Sequence, residues 1–204
     1  MPHVMSTTYH HGDLKAQLLT HAREHLELQG ADALSLREMA RTIGVTHAAA
    51  YRHFADKNAL LHALAVAGFD ALKAACIQAT DAAANAPLER LKACGAAYVR
   101  FGRKNPNMLR HMFGVAGQPG PAAPVALASA EVFALLMQLV ADGQKAGVIR
   151  DGDTRAVAQA CWALVHGLAS LLAQGLADTP KRKPAQTEAF VDASIDRLFH
   201  GIAT

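Results

Sequence analysis

The stretch 35–57, SLREMARTIGVTHAAAYRHFADK, decides the fold of this chain. Ser35 and Glu38 form a capping box, which predicts the start of a helix, and Gly44 can adopt the positive φ that ends it. Thr46 is a good N-cap for a helix that begins directly afterwards. Two short helices joined by so tight a turn meet the demands of a helix-turn-helix, although an ordinary αα-corner has the same spacing.

The composition places this motif in a helical, folded protein. The chain has 204 residues, of which 51% are hydrophobic, 18% charged and 5% aromatic. Alanine makes up about a fifth of the sequence and β-branched residues are sparse, a balance that favours helices over strands. We therefore expect an all-α protein with a substantial core.

Periodicity and stop signals predict about nine helices and no strand. The residues 114–124 are rich in glycine and proline and predict a loop. We expect a three-helix, helix-turn-helix head over residues 1–60 and a larger helical body over residues 61–204. The predicted helices cover residues 13–29, 35–43, 46–54, 56 to the eighties, 87–104, 106–113, 125–146, 154–176 and 186–201.

Several features bear on the cellular compartment. The most apolar stretch, 160–177, carries polar residues at four-residue spacing, which indicates an amphipathic helix of a soluble protein and no membrane partner. The N-terminus lacks a basic region followed by an apolar one, so no secretory signal is expected. Three widely spaced cysteines form neither a disulfide framework nor a metal motif, and a cytoplasmic protein is expected. These are Cys76, Cys94 and Cys161.

Charge is distributed unevenly along the chain. The net charge is +3, yet residues 1–70 carry six basic against seven acidic residues and hold eight of the eleven histidines. A DNA-binding head of this composition predicts a shallow salt dependence at neutral pH. We expect the dependence to steepen as histidines gain charge near pH 6.

The residues 44–61, GVTHAAAYRHFADKNALL, resemble the core signature of the tetracycline-repressor (TetR) family of bacterial regulators. The pattern Tyr-x-His-Phe-x-x-Lys-x-x-Leu-Leu is its most specific part. The opening YHHGDL at 9–14 is similar to the start of one branch of that family. The segments MFG at 112–114 and WALVHGL at 162–168 resemble the C-terminal domain of the same branch. Ala50 and Asn58 depart from the usual pattern.

The third helix is the predicted recognition helix, whose N-terminal residues face base edges in the major groove. His47 can donate to a base acceptor, and the alanines after it can touch thymine methyl groups. The resemblance implies phosphate contacts from Thr46, Tyr51, His53 and Lys57. The predicted DNA-contacting residues are Arg37, Thr46, His47, Ala48, Ala49, Tyr51, Arg52, His53 and Lys57.

The body carries apolar and soft side chains that suit either a plain core or an adaptable cavity. The resemblance implies a cavity for a small apolar or amphipathic effector. His166 could orient such a ligand, lie at a dimer interface or be satisfied within the core. The predicted cavity residues are Phe69, Phe101, Met108, Met112, Phe113, Phe133, Met137, Trp162 and His166.

The last two helices are expected to pair with those of a second copy, as the resemblance implies. A dimer also suits a palindromic operator, because two recognition helices then address half-sites about 34–36 Å apart. The residues predicted for this interface, or for the core directly beneath it, are Leu164, Leu168, Leu171, Leu172, Phe190, Ile195 and Leu198.

These observations predict a DNA-binding transcriptional regulator that responds to a ligand, with repression as the expected mode. No cofactor or metal is expected, since the paired His10 and His11 lack a third ligand at a fitting spacing. Control by oxidation or by a protein partner is an alternative to a small effector. An all-α enzyme is a further alternative, but no paired carboxylates, activated nucleophile or phosphate loop has a coherent spacing.

Overall fold

The computed structural model describes residues 11–118, 122–176 and 183–202, and within these ranges the chain forms nine α-helices and no strand. The all-α prediction is confirmed. The helices are α1 (His11–Gln29), α2 (Leu36–Ile43), α3 (His47–Tyr51), α4 (Lys57–Ala82), α5 (Pro87–Lys104), α6 (Pro106–Ala116), α7 (Ala123–Lys145), α8 (Thr154–Ala173) and α9 (Pro184–Ile202).

The head is built from α1, α2 and α3, which pack against one another. Residues at four-residue spacing bury one face of α1, because side chains four apart lie on the same side of a helix. Gly30 ends α1 with a left-handed φ of +82°. The buried residues of this face are Leu14, Leu18, Ala22 and Leu26.

The helix-turn-helix forms as its capping residues predict. Ser35 Oγ accepts a hydrogen bond from the backbone N–H of Glu38 at 3.4 Å. Gly44 ends α2 with a φ of +79°, a conformation that glycine adopts without a steric penalty. Thr46 Oγ1 accepts from the N–H of Ala49 at 3.3 Å and caps α3.

α3 ends three residues earlier than predicted. The helix ends at Tyr51, because the N–H groups of His53 and Phe54 both bond back to the carbonyl of Ala50 and tighten the last turn. Phe54 is buried in the head and Ala50 is fully enclosed. The chain turns directly into α4, where Asp56 accepts from the N–H of Ala59 at 2.7 Å.

The chain divides into two compact units between Leu64 and Ala65, inside α4. The division lies four residues beyond the predicted one. In the second unit, α5 packs against α6, α7, α8 and α9, and α8 packs against α7 and α9. Gly102 of α5 allows the close approach of α8, since a Cβ at this position would lie 2.8 Å from the Cβ of Ala169.

Several helix boundaries in the body differ from the predictions. α6 continues through the exposed Gly114 to Ala116, so part of the predicted loop is helical. α7 begins at Ala123, with a proline in its first turn, a position where the missing N–H costs no helical bond. α8 ends at Ala173 because the chain takes a left-handed φ of +69° at Gly175.

Three of the described helices, α4, α7 and α8, are long and apolar enough to cross a membrane by length and composition. Their most apolar 18-residue windows have mean hydropathies of 1.6, 1.8 and 1.6. α7 and α8 pack against each other and against α5 in this fold. Of the polar residues at four-residue spacing in the stretch 160–177, His166 lies on the wall of a cavity and Gln174 is exposed to solvent.

Candidate DNA-contacting face and effector cavity

Most of the predicted DNA-contacting residues are exposed to solvent on α3, at its two caps and in the first turn of α2. Tyr51 is 49% exposed, a large value for an aromatic side chain of a folded head. Ala49 and His53 are half-buried. The exposed members are Arg37, Thr46, His47, Ala48, Tyr51 and Arg52. This arrangement leaves the N-terminal turn of α3 open to a partner.

Lys57 has a structural role in addition to the predicted phosphate contact. Its side chain is half-buried, and Nζ donates to the carbonyl oxygen of Asp32 at 2.7 Å. The bond ties the start of α4 to the turn that connects α1 and α2. An ammonium group has three donors, so two remain for another acceptor.

The body encloses a cavity with a volume of about 540 Å³, a size typical of small-molecule sites. Residues from α4, α5, α6, α7, α8 and α9 line it. Five of the nine predicted cavity residues lie on its wall. They are Phe69, Phe113, Phe133, Trp162 and His166.

The other four predicted cavity residues do not lie on the wall. Met108 and Met112 fill space beside Gly68, where a Cβ would lie within 3 Å of both sulfur atoms. Phe101 is buried away from the cavity, and Met137 is half-buried outside the wall. Helical periodicity alone did not separate these four residues from the wall, because it shows that a residue is buried but not which element it faces.

Aromatic rings form the centre of the wall around Phe113. The ring centroids of Phe113 and His166 lie 4.6 Å apart, and those of Phe113 and Phe69 lie 5.3 Å apart. The ring centroid of Trp162 lies 5.9 Å from that of Phe113 and 6.4 Å from that of Phe133. Such rings offer a large apolar contact area to a bound molecule.

Tyr98 brings a polar group to this apolar wall, and the sequence analysis missed it. Its hydroxyl lies 2.8 Å from Nδ1 of His166. Burial raises the pKa of Tyr98. Burial also lowers the pKa of His166 below its usual 6.5, so the imidazole is neutral at pH 7.

Arg155, in the first turn of α8, is the only charged residue among those described on the cavity wall. Its guanidinium carbon lies 5.5 Å from the ring centroid of Phe133. The side chain is exposed, so we expect it to lie at the mouth of the cavity. Its position was not predicted, because a single exposed arginine has no distinctive sequence signal.

All three cysteines lie on the wall of the cavity, from three different helices. The thiol of Cys76 donates to the carbonyl oxygen of Cys94 at 3.7 Å. Hydrogen bonding with Cys76 and burial raise the pKa of Cys94, and burial raises the pKa of Cys161 to about 11. Cys94 and Cys161 are therefore neutral thiols at pH 7.

The predicted interface residues differ in their burial within one protomer. Leu168 and Ile195 are buried there, as expected of core residues directly beneath an interface. Leu164 and Leu198 are half-buried and lie on the cavity wall, as Ile195 does. Leu171 is 46% exposed. Leu172 and Phe190 are half-buried.

Ion pairs between α5 and α9 hold one side of the body together. Lys92 Nζ lies 2.9 Å from the carboxylate of Asp196. Arg103 bonds to the carboxylate of Glu188 at 2.6 Å, and Arg100 lies 3.8 Å from it. Three basic side chains of α5, those of Lys92, Arg100 and Arg103, are therefore paired within the protomer.

Two family models match the chain. One is described as "Bacterial regulatory proteins, tetR family" and matches residues 18–64. The other is described as "Tetracyclin repressor-like, C-terminal domain" and matches residues 91–198, more than half of the chain. A comparison with curated proteins finds no match.

Solved structures share the fold over nearly the whole chain. A protein of unknown function from Rhodococcus sp. RHA1 is 38% identical with a TM-score of 0.89, covering 98% of this chain and 100% of its own. The TetR family transcriptional regulator PfmR from Thermus thermophilus is 22% identical, with a TM-score of 0.69 and coverages of 90% and 97%. AibR, in complex with isovaleryl coenzyme A and operator DNA, is 20% identical, with a TM-score of 0.69 and coverages of 91% and 97%.

Proposed function

The chain belongs to the TetR family of DNA-binding transcriptional regulators, and on that basis we propose that it is a repressor released from a palindromic operator by a small effector. The observation that carries the proposal is the apolar cavity in the body, with the Tyr98–His166 pair on its wall. A ligand shifts DNA binding only by its differential affinity for the bound and free states.

The exposed face of α3 supports operator recognition by the head. Selection from random DNA should recover a palindrome, and Tyr51→Ala should weaken binding to it at least about tenfold, because a phosphate contact is lost. Leu28→Ala is a matched control, since Leu28 is 81% exposed on α1 and lies outside the predicted DNA face. Recovery of no preferred sequence would overturn the proposed function.

The outer face of α8 supports a homodimer. Leu171 is 46% exposed, and a Cβ at Gly167 would meet nothing within 4 Å inside the protomer. Leu171→Glu should shift the protein from dimer to monomer in light scattering, because a buried unpaired charge is costly at an interface. Leu127→Glu is the control, since Leu127 is 63% exposed on α7. A dimer unaffected by Leu171→Glu would contradict this interface.

The cavity supports an effector of small-molecule size. AibR, which shares this fold, is described in complex with isovaleryl coenzyme A and operator DNA, so a protein of this architecture can take a small-molecule ligand. TetR family regulators are non-enzymatic and soluble in the cytoplasm, and we propose the same for this chain. A library of apolar compounds, screened for those that raise the melting temperature and release operator DNA, tests the effector directly.

Control by thiol oxidation is a second candidate, favoured by the convergence of three cysteines on one cavity wall. The raised pKa values of Cys94 and Cys161 oppose it, because the thiolate is the reactive form. Exposure to hydrogen peroxide should leave operator affinity unchanged. Release of DNA by peroxide, absent in Cys76→Ser, would favour the redox mechanism over the effector.

A further inference from the structure

The polar side chains that α8 contributes to the cavity lie along one face of the helix. Arg155, Gln159, Trp162 and His166 are spaced by four, three and four residues, close to successive helical turns. The first and the last are separated by about 16 Å along the helix axis, at about 1.5 Å per residue. The wall therefore has a charged end, an aromatic middle and a neutral polar end.

The charge at the first end has no partner in the cavity wall. Within the described part of the chain, no carboxylate lies within 4 Å of the Arg155 guanidinium, and no acidic residue lines the cavity. The stacking of Arg155 over Phe133 holds the guanidinium beside an apolar surface. A guanidinium in this setting favours a carboxylate, which it can bind with two parallel hydrogen bonds.

The neutral polar end offers a hydrogen-bonding nitrogen. The Tyr98 hydroxyl lies 2.8 Å from Nδ1 of His166, and which of the two donates depends on the tautomer of the ring. In either tautomer Nε2 is left to bond a ligand, and a hydroxyl group can both donate and accept. An uncharged hydroxyl group of a ligand therefore suits His166.

We propose that the effector is an apolar carboxylic acid whose carboxylate binds Arg155 and whose hydrocarbon body lies against Trp162 and Phe113. The imidazole of His166 favours a hydroxyl group within that body. The inference rests on the proposed function, since it names the chemical class of the molecule that the cavity takes. The positive charge of Arg155 disfavours organic cations. It also gives an apolar acid a higher affinity than a neutral molecule of the same length.

Trp162 is the only tryptophan of the chain and lies on the cavity wall, so its fluorescence reports binding directly. The probes are decanoate and decanol, which share a chain length and differ in charge. Decanoate should bind the wild-type protein at least about tenfold more tightly than decanol, the size expected of a charged hydrogen bond. Decanoate should also lower the affinity for the selected operator.

Arg155→Gln should weaken decanoate binding about tenfold or more and leave decanol binding within about threefold, because only the acid uses the charge. Arg155→Lys should keep part of the preference, since it keeps the charge without the planar fork. Arg110→Gln is the matched control, because it removes the same charge from an exposed position of α6. Circular dichroism verifies that the variants are folded.

Equal affinity for decanoate and decanol, binding of neither, or an unchanged preference in Arg155→Gln would overturn the inference. Failure of the proposed function is recognised differently: the wild-type protein would then select no DNA sequence, or would keep its operator affinity with decanoate bound. The two failures are therefore separated by the DNA measurement.

Discussion

The Tyr98 hydroxyl and Nδ1 of His166 lie 2.8 Å apart and join α5 to α8 across the cavity wall. The Trp162 ring lies beside this pair, with its centroid 5.8 Å from that of His166. The two polar groups satisfy each other in an apolar setting, where an unpaired group would be costly. The pair therefore holds the imidazole of His166 in place on the cavity wall.

Protonation of His166 should destabilise the folded protein. Its folded-state pKa is lowered from 6.5 by burial, so below pH 6.5 the unfolded chain takes up a proton that the folded chain resists. This contribution to the free energy of unfolding is fully present above pH 6.5 and is lost as pH falls toward the folded-state pKa. In urea unfolding at about pH 5.5 and about pH 7.5, His166→Gln should lose less stability than the wild type. An equal loss in both proteins would contradict this prediction.

Removal of the Tyr98 hydroxyl should also cost stability. Tyr98→Phe leaves Nδ1 of the half-buried His166 without its hydrogen-bond partner, and we expect a loss of about 1–2 kcal/mol in the free energy of unfolding. Tyr51→Phe is the matched control, because the side chain of Tyr51 is 49% exposed. Urea denaturation measures both. Equal effects of the two substitutions would show that the pair contributes nothing specific.

Gly102→Ala should weaken the packing of α5 against α8. The new methyl group would lie 2.8 Å from the Cβ of Ala169, an atom with no rotamer freedom to move away. We expect a loss of about 1–3 kcal/mol, the usual cost of overpacking a core. Gly114→Ala meets nothing within 4 Å on α6 and should be neutral or stabilising by up to about 1 kcal/mol. Thermal unfolding that ranks the two variants in the opposite order would refute the packing argument.

Lys57→Met should affect both stability and DNA binding. It removes the bond to the Asp32 carbonyl, which costs about 1 kcal/mol at a half-exposed position, and it removes the predicted phosphate contact. Operator affinity should fall and its salt dependence should become shallower by about one counterion. Lys15→Met, on the exposed surface of α1, is the control for charge alone. Unchanged salt dependence would leave Lys57 with its structural role only.

The sequence was most informative where local chemistry decides the structure. Pro87 begins α5 and Asn105-Pro106 ends it, so both boundaries are as predicted. Ser35, Gly44 and Thr46 define the helix-turn-helix because their bonds lie within a few residues of each other. Such signals do not depend on the rest of the fold.

Contacts between distant helices could not be read in the same way. Met112 and Phe113 are neighbours on α6, yet one packs beside Gly68 and the other faces the cavity. Tyr98 lies in an apolar run of α5 that resembles plain core, and Arg155 resembles a solvated surface residue. Only the packing of α5 and α7 against α8 gives these two residues a place on a common wall.

The three cysteines allow local motions of the body to be measured. Each thiol belongs to a different helix, α4, α5 or α8, and all three are buried. A thiol-alkylating reagent reaches each one only when the surrounding wall opens, so the rate of labelling at each site records the local opening of that helix. Cys76, Cys94 and Cys161 are thus three native reporters of how often, and at which helix, the cavity opens.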